Sequence, residues 1–296
     1  MKVLVTGAED GQLAKCLVES GAAGGVSVVA VGCPGLDITV PASIRATVEA
    51  LRPDVIVNAA AYTAVDKAES EPDIAHRVNA IGASNVACAA QEAGVPVIQI
   101  STDYVFDGSK SGAYAESDAP RPVSVYGLSK LNGEHMVAKA ASRHVILRTA
   151  WVHSPFGNNF VKTMLRLAAS RPELGVVEDQ LGSPTYAPHL ASSILDVARR
   201  VSCAGDDSDL WGIYHACGAG ETTWYGLARE VFDVSKRLGG PHAIVNPIAT
   251  SEYPTAARRP ANSRLSGEKL RATFGLSLPD WHAGVAACVE RLIKEC

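Results

Sequence analysis

Tyr126 and Lys130 lie four residues apart in the segment VYGLSK, residues 125–130. On a helix this spacing puts a phenol and an ammonium on one face, so both can point into the same cleft. A free tyrosine has a pKa of about 10, and a nearby cation lowers that pKa by stabilising the phenolate. The pair therefore predicts an acid–base site. The alternative is a solvated surface pair, because the same spacing occurs on many helices.

Thr102 is a candidate third member of this site. It lies in ISTDYVF, residues 100–106, where an apolar run ends. A hydroxyl group there could donate a hydrogen bond to a carbonyl oxygen as negative charge develops on it. A plain turn or cap is the alternative interpretation of Ser-Thr-Asp at the end of a strand.

A glycine-containing segment, VTGAEDGQLA at residues 5–14, follows the first apolar run. Glycines let a backbone turn sharply and approach a pyrophosphate, which then binds at the N-terminus of the next helix. This context favours dinucleotide binding over a simple strand-to-helix turn. The residues expected to contact the cofactor are Gly7, Gly11, Gln12 and Leu13.

The glycine segment departs from the usual dinucleotide pattern. Its first two glycines are separated by one residue more than usual, and Ala14 stands where a third glycine is common. Glu9 and Asp10 would bring two carboxylates close to the phosphates. We expect the segment to bulge so that these two side chains face water.

The choice of cofactor is normally determined at the end of the second strand, where a carboxylate binds the ribose of NAD and repels a 2′-phosphate. Here that strand ends in AVGC, residues 30–33, without an acid. Asp37 follows and could contact the adenine instead. The sequence mildly favours NADPH and leaves NADH open. Ala59, Ala60 and Ala61 would let the cofactor lie flat, although tight strand–helix packing explains three alanines equally well.

Strands and helices alternate through the first half of the chain. Strands are predicted at residues 2–6, 26–31, 54–58, 95–101 and 144–148, and helices at 12–20, 42–51, 76–93 and 131–141. Apolar strands that alternate with helices indicate an α/β fold with a Rossmann-type, doubly wound parallel sheet. We predict a cofactor-binding domain at residues 1–150. Residues 151–296 would form mainly a smaller substrate-binding lobe, with some helices packing back on the first domain.

Composition excludes several classes of protein. The 296 residues are 47% hydrophobic and 20% charged, with a net charge of −4, so no basic field exists for a nucleic acid or an anionic membrane surface. No apolar run is long enough to span a bilayer, and the first residues do not resemble a signal peptide. The seven scattered cysteines form no Cys-x-x-Cys motif, which predicts no metal site and a cytoplasmic protein with reduced thiols. Cys296 is expected to be exposed.

Longer strings of residues resemble a known family. Thr102, Tyr126 and Lys130 are similar to the Ser/Thr-Tyr-Lys triad of extended short-chain dehydrogenases/reductases. Six further strings resemble the dTDP-4-dehydrorhamnose reductases: NAAAYTAVDKAE (58–69), STDYVF (101–106), YGLSK (126–130), NNFVKTML (158–165), DQLGSPT (179–185) and ARRPANSRL (257–265). Together they extend over most of the chain and are far more specific than any one alone.

This resemblance implies reduction of the 4-keto group of dTDP-4-dehydro-β-L-rhamnose to dTDP-L-rhamnose, the last step in the biosynthesis of that sugar nucleotide. Hydride would come from the nicotinamide, and Tyr126 would donate a proton. Lys130 would lower the pKa of the tyrosine and hold the nicotinamide ribose, while Thr102 would orient the carbonyl. The residues expected near the sugar are Val65, Asp103, Tyr104 and Trp151.

Other residues are assigned by the resemblance together with their chemistry. Arg259 and Asn262 lie in an arginine-rich loop, and guanidinium groups match phosphate oxygens with paired hydrogen bonds. A diphosphate site is therefore expected there, with a solvated basic loop as the alternative. Asn79 resembles a residue that supports the active site in related reductases, and helix packing is its alternative role. Trp224 could stack near the nucleotide or belong to the core.

The chain also departs from the family pattern. Some members have a glutamate, soon after the glycine segment, that contributes to a Mg²⁺ site at a dimer interface. Cys16 stands at the corresponding place, so we predict no metal there and doubt that type of homodimer, although a homodimer remains possible. His153 stands where the family often has tyrosine, and we expect a hydrogen-bonded surface or pocket histidine.

Two rival functions remain open from the sequence. One is another nucleotide-sugar enzyme of the same fold, such as an epimerase or a different 4-keto reductase. The other is a non-catalytic regulatory subunit, which the intact triad argues against.

Overall fold

The computed structural model describes residues 1–295, so Cys296 lies outside the described residues. The strands are β1 Lys2–Thr6, β2 Ser27–Val31, β3 Val55–Asn58, β4 Val97–Thr102, β5 His144–Thr149, β6 Val152–His153, β7 Glu173–Val177, β8 Leu181–Gly182, β9 Thr185–Tyr186, β10 Gly212–His215, β11 Thr222–Thr223 and β12 Ile244–Ile248. The α-helices are α1 Gln12–Ala23, α2 Pro41–Leu51, α3 Val65–Ala68, α4 Pro72–His76, α5 Ala83–Ala93, α6 Val125–Ala140, α7 Phe160–Ala168, α8 Ala187–Val201, α9 Trp224–Arg237, α10 Glu268–Phe274 and α11 Trp281–Lys294.

A six-stranded parallel sheet with the order β10-β5-β4-β3-β1-β2 lies at the centre of the fold. Its inner strands are buried apolar runs, as expected where helices cover both faces. On one face the side chains of Val3 and Val5 pack with α1 and α8, and on the other Leu4 and Ile56 pack with α2 and α5. The predicted α/β, doubly wound parallel fold is confirmed.

The second half of the chain contributes to both parts of the molecule. Strand β10 forms one edge of the central sheet beside β5, and α8 packs against α1. A separate apolar core joins α7, α9 and α11, with β7 and β12 paired beside them. The central sheet thus includes one strand from the second half of the chain, at residues 212–215. The division into two domains near residue 150 stays a prediction.

Two helices differ from the predicted boundaries. Helix α6 begins at Val125 rather than at residue 131, because the Ser124 hydroxyl accepts a hydrogen bond from the Gly127 amide and caps it. The helix predicted over residues 76–93 begins earlier, at Pro72, and contains a widened π-helical turn over Arg77–Gly82. Within residues 1–295, no helix combines the length and apolar character needed to cross a membrane.

Candidate active site

A cavity of about 520 Å³ lies at the carboxyl ends of β1, β3, β4 and β5, where ligands bind in sheets of this kind. The structure brings most of the predicted site residues into its lining. These are Gly7, Gly11, Gln12, Leu13, Ala59, Ala60, Ala61, Val65, Thr102, Asp103, Tyr104, Tyr126, Lys130 and Trp151. Asp37, Arg259 and Asn262 do not line this cavity.

The glycine segment turns tightly against the end of β3. Gly7 has a φ of +144°, and a Cβ atom there would lie 3.2 Å from the Ala59 carbonyl carbon and the Ala60 amide nitrogen. Gly11 precedes the first residue of α1 without a side-chain cap, so the first amides of α1 keep free hydrogen-bonding capacity beside the cavity. Glu9 and Asp10 are exposed to solvent, as expected. The segment thus offers a close backbone approach and a positive helix end to an anion.

Gly32, at the end of β2, was not singled out from the sequence. A Cβ atom on Gly32 would lie 2.5 Å from the Gly7 carbonyl oxygen and 2.7 Å from the Ala8 Cα. Any side chain at this position would therefore displace the glycine segment. The sequence could not reveal this role of Gly32, because the contact joins residues at the ends of two different strands.

Gln12 connects the glycine segment to the second half of the chain. Its Oε1 accepts hydrogen bonds from the Ser154 hydroxyl and the Asn159 side-chain amide, each at 2.9 Å. Asn159 also caps α7 by accepting a hydrogen bond from the Lys162 amide. The loop at the first strand is thereby tied to the loop that begins α7.

Thr102 and Tyr126 approach each other from β4 and α6. Both side chains are buried. Burial raises the pKa of Tyr126, and this effect outweighs the opposing effect of the Thr102 hydroxyl. The expectation that Lys130 draws this pKa toward neutrality is not met, because burial dominates and Lys130 is not among the groups that shift it. Tyr126 is held as a neutral phenol, which is the proton-donating form.

Lys130 lies on the same face of α6 as Tyr126 and is also buried. Its Nζ donates a hydrogen bond of 2.7 Å to the carbonyl oxygen of Ile100 on β4. Burial lowers the pKa of Lys130 to about 8, opposed by the nearby Glu134 carboxylate. Lys130 is therefore mostly charged at neutral pH, and a specific acceptor fixes its position.

Asp103 lies beside the triad at the start of a short 3₁₀ turn, Asp103–Val105. Its Oδ1 accepts a hydrogen bond of 2.9 Å from the Thr102 hydroxyl. Burial raises the pKa of Asp103 to about 6, opposed by the hydrogen bond from Thr102. A carboxyl group of this kind can accept or donate a hydrogen bond near neutral pH.

A second cavity of about 770 Å³ adjoins the first. The two cavities share the side chains of Thr63, Val65 and Tyr104 in their linings. Trp151 from the first cavity stacks on Trp224 from the second, with ring centroids 3.5 Å apart and planes inclined by 8°. Trp151 has a φ of +47°, an unfavourable conformation for this residue, and such strain is common at binding sites.

Arg259 lines the second cavity, where its guanidinium group is paired with a carboxylate. Its two terminal nitrogens donate to the Asp66 carboxylate at 3.2 and 2.8 Å. Asn262 lies outside both cavities, where its side-chain amide donates to the carbonyl oxygens of Lys110 and Gly112. The structure thus places Arg259 at the second cavity and Asn262 in the loop scaffold.

Asp37 also lies outside both cavities. Its Oδ1 accepts hydrogen bonds from the amide and the hydroxyl of Thr39, each at 2.8 Å. These contacts shape the loop that precedes α2. The Asp37 side chain is thus engaged within its own loop.

Asn79 lies within the π-helical turn and joins two parts of the site. Its amide nitrogen donates to the Tyr62 carbonyl and to the Ser129 hydroxyl, and its Oδ1 accepts from the Tyr62 amide. Ser129 is adjacent to Lys130 on α6. Asn79 therefore fixes the segment after β3 relative to α6.

Comparison with known proteins decides the family. The family model described as the RmlD substrate binding domain matches residues 1–294. A dTDP-4-dehydrorhamnose reductase from Sinorhizobium fredii is 47% identical over 295 residues, which cover 100% of this chain and 99% of the relative. The chain belongs to the dTDP-4-dehydrorhamnose reductase family.

Solved structures of dTDP-4-dehydrorhamnose reductases have the same fold as this chain. The Clostridium acetobutylicum protein has a TM-score of 0.91 and 37% identity, covering 99% of both chains. The Bacillus anthracis protein, solved in complex with NADP, has a TM-score of 0.90 and 38% identity, covering 100% of this chain and 99% of that one. The resemblance inferred from the six strings is confirmed.

Two departures from the family pattern can be located in the structure. Cys16 is buried in α1, and burial raises the pKa of its thiol to about 12, so it is a poor ligand for a hard cation. Residues 1–295 contain no group of three or more His, Cys, Asp or Glu side chains placed to hold a metal ion. His153 is buried, and burial lowers its pKa to about 4, so it is neutral at physiological pH.

Proposed function

We propose that this protein reduces the 4-keto group of dTDP-4-dehydro-β-L-rhamnose to give dTDP-L-rhamnose, with NADPH as the reductant. This is the reaction named for the family to which the chain belongs. The observation that carries the proposal is the position of Thr102, Tyr126 and Lys130 in a cofactor-sized cavity that adjoins a second, larger one. Reduction of a bound ketone requires the cofactor and the substrate to lie side by side, with a proton donor next to the ketone oxygen. Two adjoining cavities with Tyr126 in one of them suit this requirement.

The first cavity fits a dinucleotide by its shape and its donors. The close contact of Gly7 with Ala59 and Ala60 leaves room for a ligand against bare backbone, and α1 begins at the cavity. Gly7, Gly11, Gln12 and Leu13 would hold the pyrophosphate, and Ala59, Ala60 and Ala61 would lie against the cofactor. When bound, NADPH supplies the hydride that is added to C4 of the sugar.

Tyr126 donates the proton that balances this addition, so that the C4 ketone becomes an alcohol. The raised pKa keeps the phenol protonated and able to act as the acid. Thr102 donates a hydrogen bond to the carbonyl oxygen or to Tyr126, which orients the C4 oxygen toward the phenol. The positive charge of Lys130 stabilises the phenolate left after proton transfer and binds the nicotinamide ribose.

The second cavity would hold the sugar nucleotide. Val65 and Tyr104 line both cavities and therefore suit contacts with the sugar at their junction, together with Asp103 and Trp151. Arg259 would contact the diphosphate, with its guanidinium group already oriented by Asp66. Asn262 would support this loop rather than touch the ligand, as its hydrogen bonds to Lys110 and Gly112 indicate.

The direct experiment supplies the purified protein with dTDP-4-dehydro-β-L-rhamnose and either NADPH or NADH. We expect loss of reduced-nicotinamide absorbance, faster with NADPH, and formation of dTDP-L-rhamnose identified by NMR. Cofactor binding without turnover would support a regulatory subunit instead. Conversion of a nucleotide sugar without net consumption of cofactor would support an epimerase.

The proposed cellular location is the cytoplasm. The six cysteines within residues 1–295 are free thiols, and three of them, Cys16, Cys217 and Cys288, are buried. Free thiols are typical of proteins in reducing compartments.

A further inference from the structure

A buried ion pair lies directly behind Lys130. Glu134 follows Lys130 by one turn of α6, and its carboxylate accepts hydrogen bonds from Arg148 on β5, with Nη2 at 2.6 Å and Nε at 2.9 Å. Both residues are 1% exposed. Neither residue lines the two cavities, so the pair does not contact the proposed ligands.

The pair also holds the strand that carries Thr102. The Ser101 hydroxyl donates a hydrogen bond of 2.5 Å to Oε1 of Glu134. Two consecutive residues of β4 are therefore tied to α6, the Ile100 carbonyl by Lys130 and the Ser101 hydroxyl by Glu134, and Thr102 follows them directly. Ser101 lies next to Thr102 in β4, and Glu134 lies one turn from Lys130 in α6. A change in Glu134 would therefore affect the positions of both Thr102 and Lys130.

A need for stability does not account for this pair. Removing two charges from water costs much of what their attraction returns, and apolar residues of similar volume often serve a fold equally well. A functional reason is available because the carboxylate lies one turn from a buried ammonium, and burial acts against the charge on that ammonium.

We propose that Glu134, held by Arg148, is a positioning residue for the proposed reduction: it keeps Lys130 charged and fixes Ser101 so that Lys130 and Thr102 stay aligned with Tyr126. This inference rests on the proposed function. The ionisable or charged groups around Lys130 are Tyr126 and Glu134 on α6, Asp103 after β4 and Arg148 on β5, while Glu9 and Asp10 of the glycine segment are exposed. Of these, the Glu134 carboxylate is the group that raises the pKa of Lys130.

The charge is tested with the double variant Glu134→Gln/Arg148→Met. It removes both charges but keeps an amide oxygen that can accept from Ser101. We expect a folded protein in which the alkaline limb of kcat/KM moves about one unit to lower pH, since the lysine loses its proton more easily. Above both pKa values the protonated fraction then falls about tenfold. Glu92→Gln, which breaks the exposed pair between Arg45 and Glu92, is the control and should leave the pH profile unchanged.

The same charge is tested without turnover. The titration midpoint of the Lys130 Nζ, followed by NMR in lysine-labelled protein without cofactor and assigned with Lys130→Arg, should fall by a similar amount in the double variant. This readout separates failure of the inference from failure of the proposed function, because it needs no substrate. An unchanged midpoint, or a neutral double variant that cannot fold, would assign the pair a purely structural role and overturn the proposal.

The hydrogen bond to the strand is tested with Ser101→Ala, which keeps both charges. We expect a lower kcat with an unmoved alkaline limb and unchanged affinity for NADPH, because only the alignment of β4 is loosened. Wild-type kcat in this variant would contradict the alignment part of the proposal.

Discussion

Burial acts on Tyr126 and Lys130 in opposite senses: it raises the pKa of the phenol and lowers that of the ammonium. The neutral phenol and the charged lysine are thus both present at neutral pH. A reductase needs this combination, because the phenol must give a proton and the resulting phenolate needs a cation near it. The spacing alone predicted that Lys130 lowers the pKa of Tyr126. Burial instead keeps Tyr126 protonated while Lys130 stays mostly charged, which suits a proton donor in a reduction.

Substitution of Tyr126 tests the proton donor. Tyr126→Phe keeps the ring and its edge-on contact with Tyr104 but removes the acid. We expect kcat to fall by about 10² to 10⁴, while the dissociation constant for NADPH, measured by fluorescence titration, changes little. Tyr225→Phe, in α9 and away from both cavities, is the matched control. Turnover at the wild-type rate in Tyr126→Phe would exclude the phenol as the donor.

The pH dependence tests Lys130. Its pKa of about 8 means that the charged form predominates below this pH and is lost as the pH rises through it. We expect kcat/KM for reduction to fall above about pH 8, since this ratio reports groups of the free enzyme. In Lys130→Arg the guanidinium keeps its charge, so the remaining activity should lack that alkaline limb. If kcat/KM of Lys130→Arg falls above the same pH as in the wild type, the fall is caused by a group other than Lys130.

At the scale of secondary structure, the ends of β1 and β2 support each other. Gly32→Ala would drive a Cβ atom into the Gly7 carbonyl and so displace the glycine segment. Overpacking of this kind costs about 1–3 kcal/mol, and we expect NADPH affinity, measured by calorimetry, to fall by about tenfold or more. Gly112→Ala is the control, because no atom lies within 4 Å of the added Cβ. Equal affinities in the two variants would show that the packing of Gly32 does not shape the cofactor site.

The elements also show how far the sequence could predict the structure. The first half was predictable because its strands are continuous apolar runs between glycines and helices. Strands β8, β9 and β11 have two residues each, and β10 joins a sheet whose other strands lie far earlier in the chain. Such pairings depend on tertiary contacts that local periodicity does not record.

The same distinction applies within the site. Tyr126, Lys130 and Thr102 could be found because their residue types and positions carry chemistry. From the sequence alone, Glu134 is expected to be an ordinary polar residue on a helix surface. Only the fold shows that it is buried against Arg148. The pKa of Tyr126 could not be predicted from its spacing to Lys130, because burial decides its direction.

At the scale of the whole molecule, the two halves of the chain meet at the junction of two cavities. Tyr104 and Val65 come from the first half, while Trp224 and Arg259 come from the second. The Asp66–Arg259 ion pair links α3 to the loop before α10 across this junction. A ligand that extends from one cavity into the other would therefore contact both halves at once.

Substitution of Arg259 tests whether the second cavity binds a diphosphate. Arg259→Lys keeps the charge but loses the paired donors that match phosphate oxygens and the Asp66 carboxylate. We expect KM for the sugar nucleotide to rise about tenfold with kcat nearly unchanged, as for lost binding that is equal in ground and transition states. The neighbouring Arg258 is exposed, and Arg258→Lys should leave KM unchanged. A fall in kcat at constant KM would instead place Arg259 among the residues that align the sugar with Tyr126, together with Tyr104, which lines the same cavity.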